Sequence, residues 1–326
     1  MTGTSATAFW VTGAAQGALL TETLPPPGAD EVLIETLYSG ISRGTESLVF
    51  RQRIPPSEWQ RMRCPFQAGD FPAPVKYGYS AVGRVRVGPV ELTERLVFVL
   101  HPHQDRFVVP ASAITPVPET VPAGRAILAA NMETALNGVW DAEIRPGDRV
   151  CVIGAGVVGL LAAWLARGIV GVEAVLFDVE PAKATAAAAL GVAFTTEAAG
   201  LRDFDVVIHA SGCGEGLATA LEVAAFEAMI VDLSWYGDAS VTLPLGRDFH
   251  VKRLRIRSSQ VGAVAAAQRP RWTHRRRLAK ALAMLAEPAL DALISGESAF
   301  ADLPSAMMAL SAGAAPALCH RIVYPH

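Results

Sequence analysis

The sequence RVCVIGAGVVGLLAAWLARGIVGVEAVLFD, residues 149–178, carries the glycine pattern GxGxxG between two apolar segments. The run from Val150 to Ile153 is short and rich in β-branched residues, which predicts a strand buried on both faces. Residues 160–167 predict a buried helix, and residues 172–177 predict a second strand that ends at Asp178. The stretch therefore predicts a strand, a tight turn, a helix and a second strand.

Each part of this stretch has a physical role in holding a dinucleotide. Gly154 permits the tight turn, Gly156 lets the backbone approach a pyrophosphate, and Gly159 lets the helix pack close to the sheet. The N-terminus of the helix presents unpaired N–H groups to phosphates. Asp178 stands where a carboxylate accepts hydrogen bonds from an adenosine ribose. Because Asp178 would repel a 2′-phosphate, the stretch favours NAD(H) over NADP(H). The alternative is a glycine-rich helix contact in another α/β protein.

Length and composition restrict the class of protein. The chain has 326 residues, is 51% hydrophobic and has a net charge of −3, so two domains fit and no nucleic-acid partner is expected. The amino terminus lacks the features of a signal peptide, and the longest apolar stretch is broken by charges and glycines, so no membrane association is expected. Four scattered cysteines without a CxxC pair favour a reducing cytoplasm over a disulfide or zinc framework.

Residues 1–122 predict a barrel-like β domain, because strand-forming runs follow one another without helical periods. The runs are Ala8–Thr12, Gly17–Glu22, Glu31–Ser39, Gly78–Val87, Arg95–Leu100 and Arg106–Val109. Residues 50–75 between them predict an irregular stretch, either a rim of a substrate pocket or a solvated loop. Its arginines at 51, 53, 61 and 63 suggest a polar or anionic small-molecule substrate.

Residues 123–141 predict a helix, and from 149 to 260 strands and helices alternate, which predicts a doubly wound parallel sheet. The tail predicts helices at 272–286 and 303–311, then a strand at HRIVYP, residues 320–325. The run RPRWTHRRR, residues 269–277, predicts a solvated helix start, with a functional anion site as the alternative. The overall prediction is an α/β protein.

The order of parts, with EVLIETLYSGISRGTE (31–46), VKYGYSAVGRV (75–85) and IRPGDRVCVIGAGVVG (144–159), resembles the medium-chain dehydrogenase/reductase superfamily, the alcohol dehydrogenase-like enzymes. SGISRGTE together with FHVKRLRIRSSQVG (249–262) is similar to the subgroup that contains the bacteriochlorophyllide a hydroxyethyl dehydrogenase. The resemblance implies a GroES-like β-barrel catalytic domain, residues 1–122 and 262–326, and a Rossmann cofactor domain, residues 123–261. It also implies a site in the cleft between the two domains, and a homodimer. The basic strand RLRIR could be the dimer edge.

The sequence departs from the zinc enzymes of that family at all three catalytic-zinc positions. The family's GIC motif is Gly40-Ile41-Ser42 here, its GHE motif is Gly78-Tyr79-Ser80, and the third ligand position falls near Ala130. Serine, tyrosine and alanine make no zinc site. The lobe with four structural cysteines is also missing. We therefore predict a member that lacks zinc.

Without zinc, hydrogen-bond donors must stabilise the charge that develops on the substrate oxygen. The resemblance places Tyr79 and Ser42 at the vacated ligand positions, with Thr45 and Glu46 where the family often has a relay hydroxyl and an acid. Tyr79 would donate to a carbonyl or relay a proton, or else only fill the space of the metal. Arg43 matches a position where some members place a phosphate-binding arginine.

Two histidines, His101 and His103 in VLHPHQD, follow a predicted strand and could share one face. A general acid/base role is one interpretation, because the ordinary pKa of histidine is about 6.5. One alternative is a metal site that the two histidines build together with Glu46. The other is that both are partly exposed loop histidines with no chemical role.

The residues predicted to bind the cofactor are spread over the chain. Some follow strands of the predicted parallel sheet, whose carboxyl ends face the ligand crevice. The resemblance adds backbone groups at 233–235 and 259–261 for the nicotinamide carboxamide, while Trp235 and Tyr236 either shape the substrate pocket or pack. The full set is Gly154, Gly156, Val157, Val158, Gly159, Asp178, Arg43, Thr134, Ser211, Ser234 and Ser259.

The sequence thus predicts a cytoplasmic, zinc-independent, NAD(H)-dependent oxidoreductase that acts on a secondary alcohol or ketone. Its predicted catalytic residues are Tyr79, Ser42, His103, His101 and Glu46. One alternative is an enoyl or quinone reductase, because zinc-lacking members often reduce activated C=C bonds. Another is a nucleotide-binding regulatory protein that has lost catalysis.

Overall fold

The computed structural model describes residues 3–313 and 317–325. By contacts between Cα atoms it divides into two compact units. The first unit comprises Met1–Ala130, Leu278–Pro288 and Ile294–His326, and the second comprises Asn131–Arg277 and Ala289–Leu293.

The described part of the chain begins mostly with strands, and strands and helices alternate through much of its middle and end. The strands are β1 Thr4–Gly13, β2 Gln16–Leu24, β3 Glu31–Ile41, β4 Ala68–Gly69, β5 Val75–Lys76, β6 Ala81–Val87, β7 Leu96–Val99, β8 Arg106–Pro110, β9 Thr115–Pro116, β10 Arg149–Ile153, β11 Glu173–Phe177, β12 Ala193–Thr195, β13 Phe204–His209, β14 Ala224–Asp232, β15 Arg255–Ser258, β16 Ile294–Ala299 and β17 Cys319–Val323. The helices are α1 Arg43–Phe50, α2 Ala123–Ala126, α3 Ala129–Ala142, α4 Val157–Arg167, α5 Ala184–Ala189, α6 Gly214–Val223, α7 Asp248–Val251, α8 His274–Met284 and α9 Leu303–Ser311.

The strands of the first unit form two sheets. One has the order β2-β1-β5-β4, and the other has the order β16-β17-β3-β6-β7-β9, with β8 also paired to β3. Strand β3 is central in the larger sheet, and most of its side chains are buried. Apolar residues of β3, β6, β7 and β8 build the core, among them Ile34, Val85, Val97 and Phe107. All six predicted strands of residues 1–122 are present. Closure of these sheets into a GroES-like barrel stays a prediction.

The prediction for residues 1–122 missed helix α1, which follows β3 directly, and the two-residue strands β4, β5 and β9. The sequence RGTESLVF has a glycine and two β-branched residues, which weaken its helical signal. The helix is held by tertiary packing, since Val49 and Phe50 are buried and Phe50 stacks against Phe9 of β1. Strand β16 was also missed. It pairs in parallel with β17, the strand predicted at HRIVYP.

The second unit contains one sheet of six parallel strands in the order β12-β11-β10-β13-β14-β15. Numbered along the unit this order is 3-2-1-4-5-6. Strands are added first on one side of β10 and then on the other, so the strand order reverses between β10 and β13. All residues of β10 except the first are buried, as a central parallel strand requires. The α/β prediction is confirmed, and the doubly wound sheet has the predicted strands. Strand β12 was missed.

Two helix predictions need correction. The helix predicted at 123–141 is two helices, α2 and α3, separated by Ile127 and Leu128. The run 269–277 is not wholly solvated, because Arg277 is 1% exposed. In the described part of the chain, no helix combines the length and the apolar character needed to cross a membrane.

Candidate active site and cofactor site

Helix α1 places Glu46 at the centre of a polar cluster in the first unit. Ser42 ends the turn before the helix, and its backbone N–H donates to Glu46 Oε1 over 2.7 Å. The backbone N–H of Glu46 donates in turn to the carbonyl of Ser42 over 3.0 Å. The first bond satisfies a backbone N–H that a helix N-terminus leaves unpaired, and the second is the first backbone bond of the helix itself. They fix the buried Glu46 carboxylate at the first turn of the helix.

Glu46 begins a continuous chain of buried hydrogen bonds. His103 Nε2 lies 2.8 Å from Glu46 Oε2, and His103 Nδ1 lies 2.7 Å from Ser39 Oγ. The Ser39 hydroxyl lies 2.9 Å from the Tyr324 hydroxyl. Glu46 is 3% exposed and His103 is 1% exposed. Of the predicted catalytic residues, the structure therefore pairs Glu46 with His103, but both His103 nitrogens are already engaged with the protein.

Tyr79 occupies a more accessible position than His103. Its side chain is half-buried, like those of Ser42 and Thr45, and its hydroxyl bonds with the side chains of those two residues. Burial, and then the negative charge of Glu46, raise the pKa of the Tyr79 phenol despite the two hydrogen bonds that lower it. Tyr79 is thus protonated at neutral pH, and its chemistry is that of a hydrogen-bond donor.

His101 is separate from this cluster. Its ring stacks on Phe107 with the centroids 3.7 Å apart, and its Nδ1 bonds with the carbonyl of Pro102. Burial lowers the pKa of His101 to about 3. The interpretation of two partly exposed histidines is wrong, because both are buried. The alternative of a metal site with His101, His103 and Glu46 has no support either. Within residues 3–313 and 317–325, no three histidine, cysteine, aspartate or glutamate side chains are arranged to hold a metal ion.

The three positions that carry catalytic zinc in the related enzymes do not fit that metal here. Ser42 and Tyr79 bond to each other, and Ala130 has no ligating atom. Zinc requires thiolate, imidazole or carboxylate ligands. The four cysteines are free thiols, and burial raises the pKa of three of them, Cys64, Cys151 and Cys319, to about 12.

The glycine loop of the second unit fits a dinucleotide. Gly154 has φ of +103°, and a Cβ atom there would lie 2.6 Å from the backbone of Ser211. A Cβ atom at Gly159 would collide with the carbonyl of Gly154, so this glycine allows α4 to pack on the loop. Nothing lies within 4 Å of a Cβ atom built at Gly156, where space is needed for phosphates. Val157 and Val158 begin α4 directly after Gly156, and the first N–H groups of a helix have no intrahelical partner.

Asp178 follows β11 beside this loop. Its Oδ2 accepts from the N–H of Ala155 over 2.6 Å, and its Oδ1 accepts from the N–H of Glu180 over 2.9 Å. The carboxylate is therefore held at the glycine loop, on the β11 side. This placement fits the carboxylate that accepts from an adenosine ribose.

The remaining predicted cofactor residues lie in different surroundings. Ser211 is exposed and follows β13, and Ser234 follows β14 and accepts from the N–H of Gly212 over 3.1 Å. Ser259 is buried, its hydroxyl donates to Asp141 over 2.7 Å, and its backbone N–H donates to the carbonyl of Asp232 over 2.9 Å, so both of its donors are engaged within the protein. Thr134 is half-buried in α3 of the second unit. Arg43 is half-buried at the start of α1 in the first unit.

A second polar cluster lies at the carboxyl ends of β13 and β14. The sequence analysis named its members Ser211, Ser234 and Tyr236 but missed His209 and Asp232. His209 Nδ1 lies 2.8 Å from Asp232 Oδ1, and its Nε2 lies 2.6 Å from Ser211 Oγ. Tyr236 donates to Asp232 over 2.9 Å. Burial opposes ionisation of Asp232, but the hydrogen bond from His209 and further contacts leave its pKa lowered. A signal for this cluster was present in the sequence, because the apolar runs VVIH (206–209) and MIVD (229–232) each end in a polar residue, His209 and Asp232.

The buried Arg277 joins three parts of the second unit. Its guanidinium donates to Glu133 over 2.9 Å, to Asn137 over 2.5 Å and to the carbonyls of Val261 and Ala263. Asn137 also accepts from the N–H of Ala265. Helix α3 thereby positions the loop after β15. Burial raises the pKa of Glu133, and the Arg277 charge opposes that shift.

Comparisons with known proteins agree with this architecture. No protein-family model matches the chain. The D-guloside 3-dehydrogenase of Escherichia coli (strain K12) is 25% identical over 278 residues, which cover 76% of this chain and 79% of that protein. L-Idonate 5-dehydrogenase of Escherichia coli is 18% identical with a TM-score of 0.79, and 98% of each chain is covered. A protein of Sinorhizobium meliloti 1021, described as a zinc-binding dehydrogenase and bound to NADP, is 18% identical with a TM-score of 0.78. The match covers 98% of this chain and 99% of that one.

The fold is that of an α/β protein with a doubly wound parallel sheet and a glycine loop. The chain is similar to dehydrogenases of the medium-chain, zinc-type alcohol dehydrogenase-like kind, and these similarities support an oxidoreductase.

Proposed function

We propose that this chain is an NAD(H)-dependent, zinc-independent oxidoreductase that moves hydride between the nicotinamide and a secondary alcohol or ketone. The single observation that carries the proposal is the half-buried Tyr79, which is hydrogen-bonded with Ser42 and Thr45; by resemblance, Tyr79 and Ser42 stand at positions of zinc ligands. When bound, the nicotinamide cofactor supplies or accepts the hydride.

In this proposal Tyr79 serves the substrate oxygen. As a ketone is reduced, negative charge develops on its oxygen, and a donor already aimed at that oxygen lowers the barrier. The Ser42 and Thr45 hydroxyls hold the phenol in place. Glu46 and His103 are buried and hold Ser42 in place, because His103 bonds with Glu46 and Glu46 accepts from the backbone N–H of Ser42. His103 is a positioning residue here, and His101 has no chemical role.

The preference for NAD(H) rests on Asp178. A carboxylate at the end of β11 accepts from the two hydroxyls of an unmodified ribose and repels a 2′-phosphate. A relative of similar fold is bound to NADP. The choice between the two cofactors is therefore the part of the proposal that most needs measurement.

The names of the similar proteins guide the choice of substrate. One is named for dehydrogenation of a D-guloside at position 3 and another for dehydrogenation of L-idonate at position 5. A sugar, a polyol or a sugar acid offers such secondary alcohols. The arginines suggested as substrate contacts are engaged locally, Arg61 with Glu58 and Arg63 with Asp70. They give a weaker guide to the substrate.

The experiment that tests the proposal combines binding, metal content and turnover on one purified sample. We expect NADH to bind more tightly than NADPH, zinc to be substoichiometric, and at least one sugar, polyol or sugar-acid substrate to be oxidised. Stoichiometric zinc would contradict zinc independence, and binding of neither nucleotide would contradict the oxidoreductase. Tight NADH binding with no turnover would instead favour a regulatory protein.

We also propose a homodimer. Strand β15 is the edge of the six-stranded sheet, and Ile256 on it is exposed. An exposed edge strand offers unpaired backbone groups to a second chain. Size-exclusion chromatography with light scattering measures the mass, and the variant Ile256→Lys should shift a dimer towards monomer.

A further inference from the structure

We propose that Ser211, held by the buried pair His209 and Asp232, accepts a hydrogen bond from a hydroxyl of the second ribose of a bound dinucleotide, the ribose farther from adenine. The inference rests on the proposed function, because it assigns the sugar that the cofactor site recognises and the groups that orient the serine.

The sheet itself brings the pair together. His209 and Asp232 are the last residues of β13 and β14, and they are direct partners in the parallel register. The His209 side chain is 0% exposed, and the Asp232 side chain is 11% exposed. Asp232 is further fixed by the N–H of Ser234 and the hydroxyl of Tyr236, both 2.9 Å away. Two buried, satisfied polar groups at this edge are costly to assemble unless they hold something in place.

The hydrogen bonds set the direction in which Ser211 acts. Ionised Asp232 can only accept, so Nδ1 of His209 carries a proton and donates to it. In the neutral ring Nε2 is then an acceptor, and the Ser211 hydroxyl, 2.6 Å away, donates its proton to it. The Ser211 oxygen consequently offers only its two lone pairs. One faces the N–H of Cys213 at 3.3 Å, and the other faces the Cys213 thiol at 3.2 Å, a weak donor that a ligand hydroxyl would replace.

An oxygen that offers lone pairs selects for sugar hydroxyls. A ribose hydroxyl can donate to it, whereas a phosphate oxygen would be repelled. Ser211 is exposed, and its backbone lies against Gly154 of the glycine loop. The ligand crevice of such a sheet lies at this carboxyl edge.

The strand order determines which of the two riboses of the dinucleotide lies at Ser211. Strand β11, which ends before Asp178, and strand β13, which ends before Ser211, flank β10 on opposite sides. Each half of a doubly wound sheet takes one mononucleotide, and the pyrophosphate lies between them at the glycine loop. If Asp178 takes the ribose next to adenine, Ser211 meets the other one.

Ser211, His209 and Asp232 resemble the serine, histidine and aspartate of a catalytic triad, but their surroundings exclude nucleophilic catalysis by Ser211. His209 would have to give its proton to a leaving group, and it has no exposed surface. The backbone of α6 covers it, since a Cβ atom at Gly216 would lie 2.8 Å from Nε2. We therefore expect no labelling of Ser211 by a fluorophosphonate probe, and labelling would contradict the proposed role.

The test compares three ligands by calorimetry. NADH and ADP-ribose contain the second ribose, whereas ADP has only the first ribose and both phosphates. The variant Ser211→Ala should weaken binding of NADH and ADP-ribose by about three- to tenfold, the effect of one neutral hydrogen bond, and leave ADP unchanged. The control Thr219→Ala removes an exposed hydroxyl of α6 and should change none of the three affinities.

Two more variants test the supporting residues. Gly216→Ala forces a methyl group into the contact between His209 and Ser211, and His209→Asn removes the acceptor of the serine proton. Both should show the same selectivity for ADP-ribose over ADP, which a general loss of folding would not produce. Equal weakening of ADP, or no weakening of ADP-ribose by Ser211→Ala, would overturn the inference. Failure of the wild-type protein to bind any of the three ligands would instead overturn the proposed function.

Discussion

The carboxylate of Glu46 lies 2.8 Å from Nε2 of His103, and both side chains are buried in the first unit. A buried pair of this kind is expensive to break, because the remaining partner is left without a counterpart in a nonpolar environment. Glu46 also accepts from the backbone of Ser42, so the loss would extend to the start of α1.

The first prediction concerns the stability of this pair. We expect Glu46→Ala to lower the free energy of unfolding by about 3 kcal/mol, measured by urea denaturation. The control is Glu58→Ala, which removes the partner of Arg61 in an exposed pair and should have little effect. If both variants change the free energy of unfolding equally, the buried pair of Glu46 contributes no more to stability than the exposed pair of Glu58.

The second prediction concerns Tyr79 as the donor to the substrate oxygen. We expect Tyr79→Phe to lower kcat by about 100-fold, the usual cost of removing one such donor, while NADH affinity stays the same. The matched control is Tyr77→Phe, which removes the neighbouring phenol that bonds with the carbonyl of Met62. If Tyr79→Phe retains full activity with a secondary alcohol that the wild-type protein oxidises, the phenol only fills space.

The third prediction concerns cofactor choice at Asp178. We expect Asp178→Ala to weaken NADH binding by about tenfold and to reduce the preference over NADPH, because the repulsion of a 2′-phosphate is lost. Fluorescence titration with both nucleotides gives the ratio. Glu173→Gln, at the opposite end of the same strand, is the control and should leave the ratio unchanged.

The fourth prediction concerns the buried guanidinium of Arg277. Its removal leaves the buried Glu133 carboxyl without its partner, so Arg277→Met should lower the free energy of unfolding by about 3 to 5 kcal/mol. Arg276→Met is the control at the preceding position, where the exposed guanidinium lies over the ring of half-buried Trp272. Comparable melting temperatures for the two variants would argue against a role of Arg277 in holding α3 to the loop after β15.

The fifth prediction concerns pH. His101 has a pKa of about 3 in the folded protein because it is buried, whereas an unfolded histidine has a pKa near ~6.5. Below about pH 6.5 the unfolded chain takes up a proton that the folded chain refuses, so stability falls as the pH decreases towards 3. At pH 5 the contribution of this one residue is a loss of about 2 kcal/mol.

The variant His101→Gln isolates that contribution. Urea denaturation at pH 7.5 and pH 5.0 should show a smaller loss of stability for the variant than for the wild-type protein. Equal losses would mean that His101 is accessible to protons in the folded chain.

Local patterns allowed much of the fold to be predicted. The strands of both units are short apolar runs bounded by turn residues. Such a pattern depends only on residues that are neighbours in the sequence. The glycine loop and Asp178 were also readable, because their spacing is set within one strand–helix–strand unit. Helix α1 was not readable, since its stability comes from the packing of Val49 and Phe50 against distant strands.

The polar clusters were harder to predict for the same reason. Ser39 and Tyr324 are 285 residues apart, and no local pattern links them. The pairing of His209 with Asp232 depends on the register of two parallel strands, which the sequence alone does not set. Arg277 was assigned to a solvated face because it stands among six other polar residues in a basic run. Its burial depends on Glu133, which is 144 residues away.

The hydrogen bond between Ser39 and Tyr324 also has a consequence for the order of folding. The second unit is nearly continuous in sequence, whereas the first is assembled from segments on both sides of it. Closing a loop of this length costs more conformational entropy than pairing neighbouring strands, and contacts of high sequence separation form slowly. We therefore expect the parallel sheet to form early. The chain of bonds from Glu46 to Tyr324 should be among the last parts to assemble, so the residues proposed to support catalysis depend on the completion of folding.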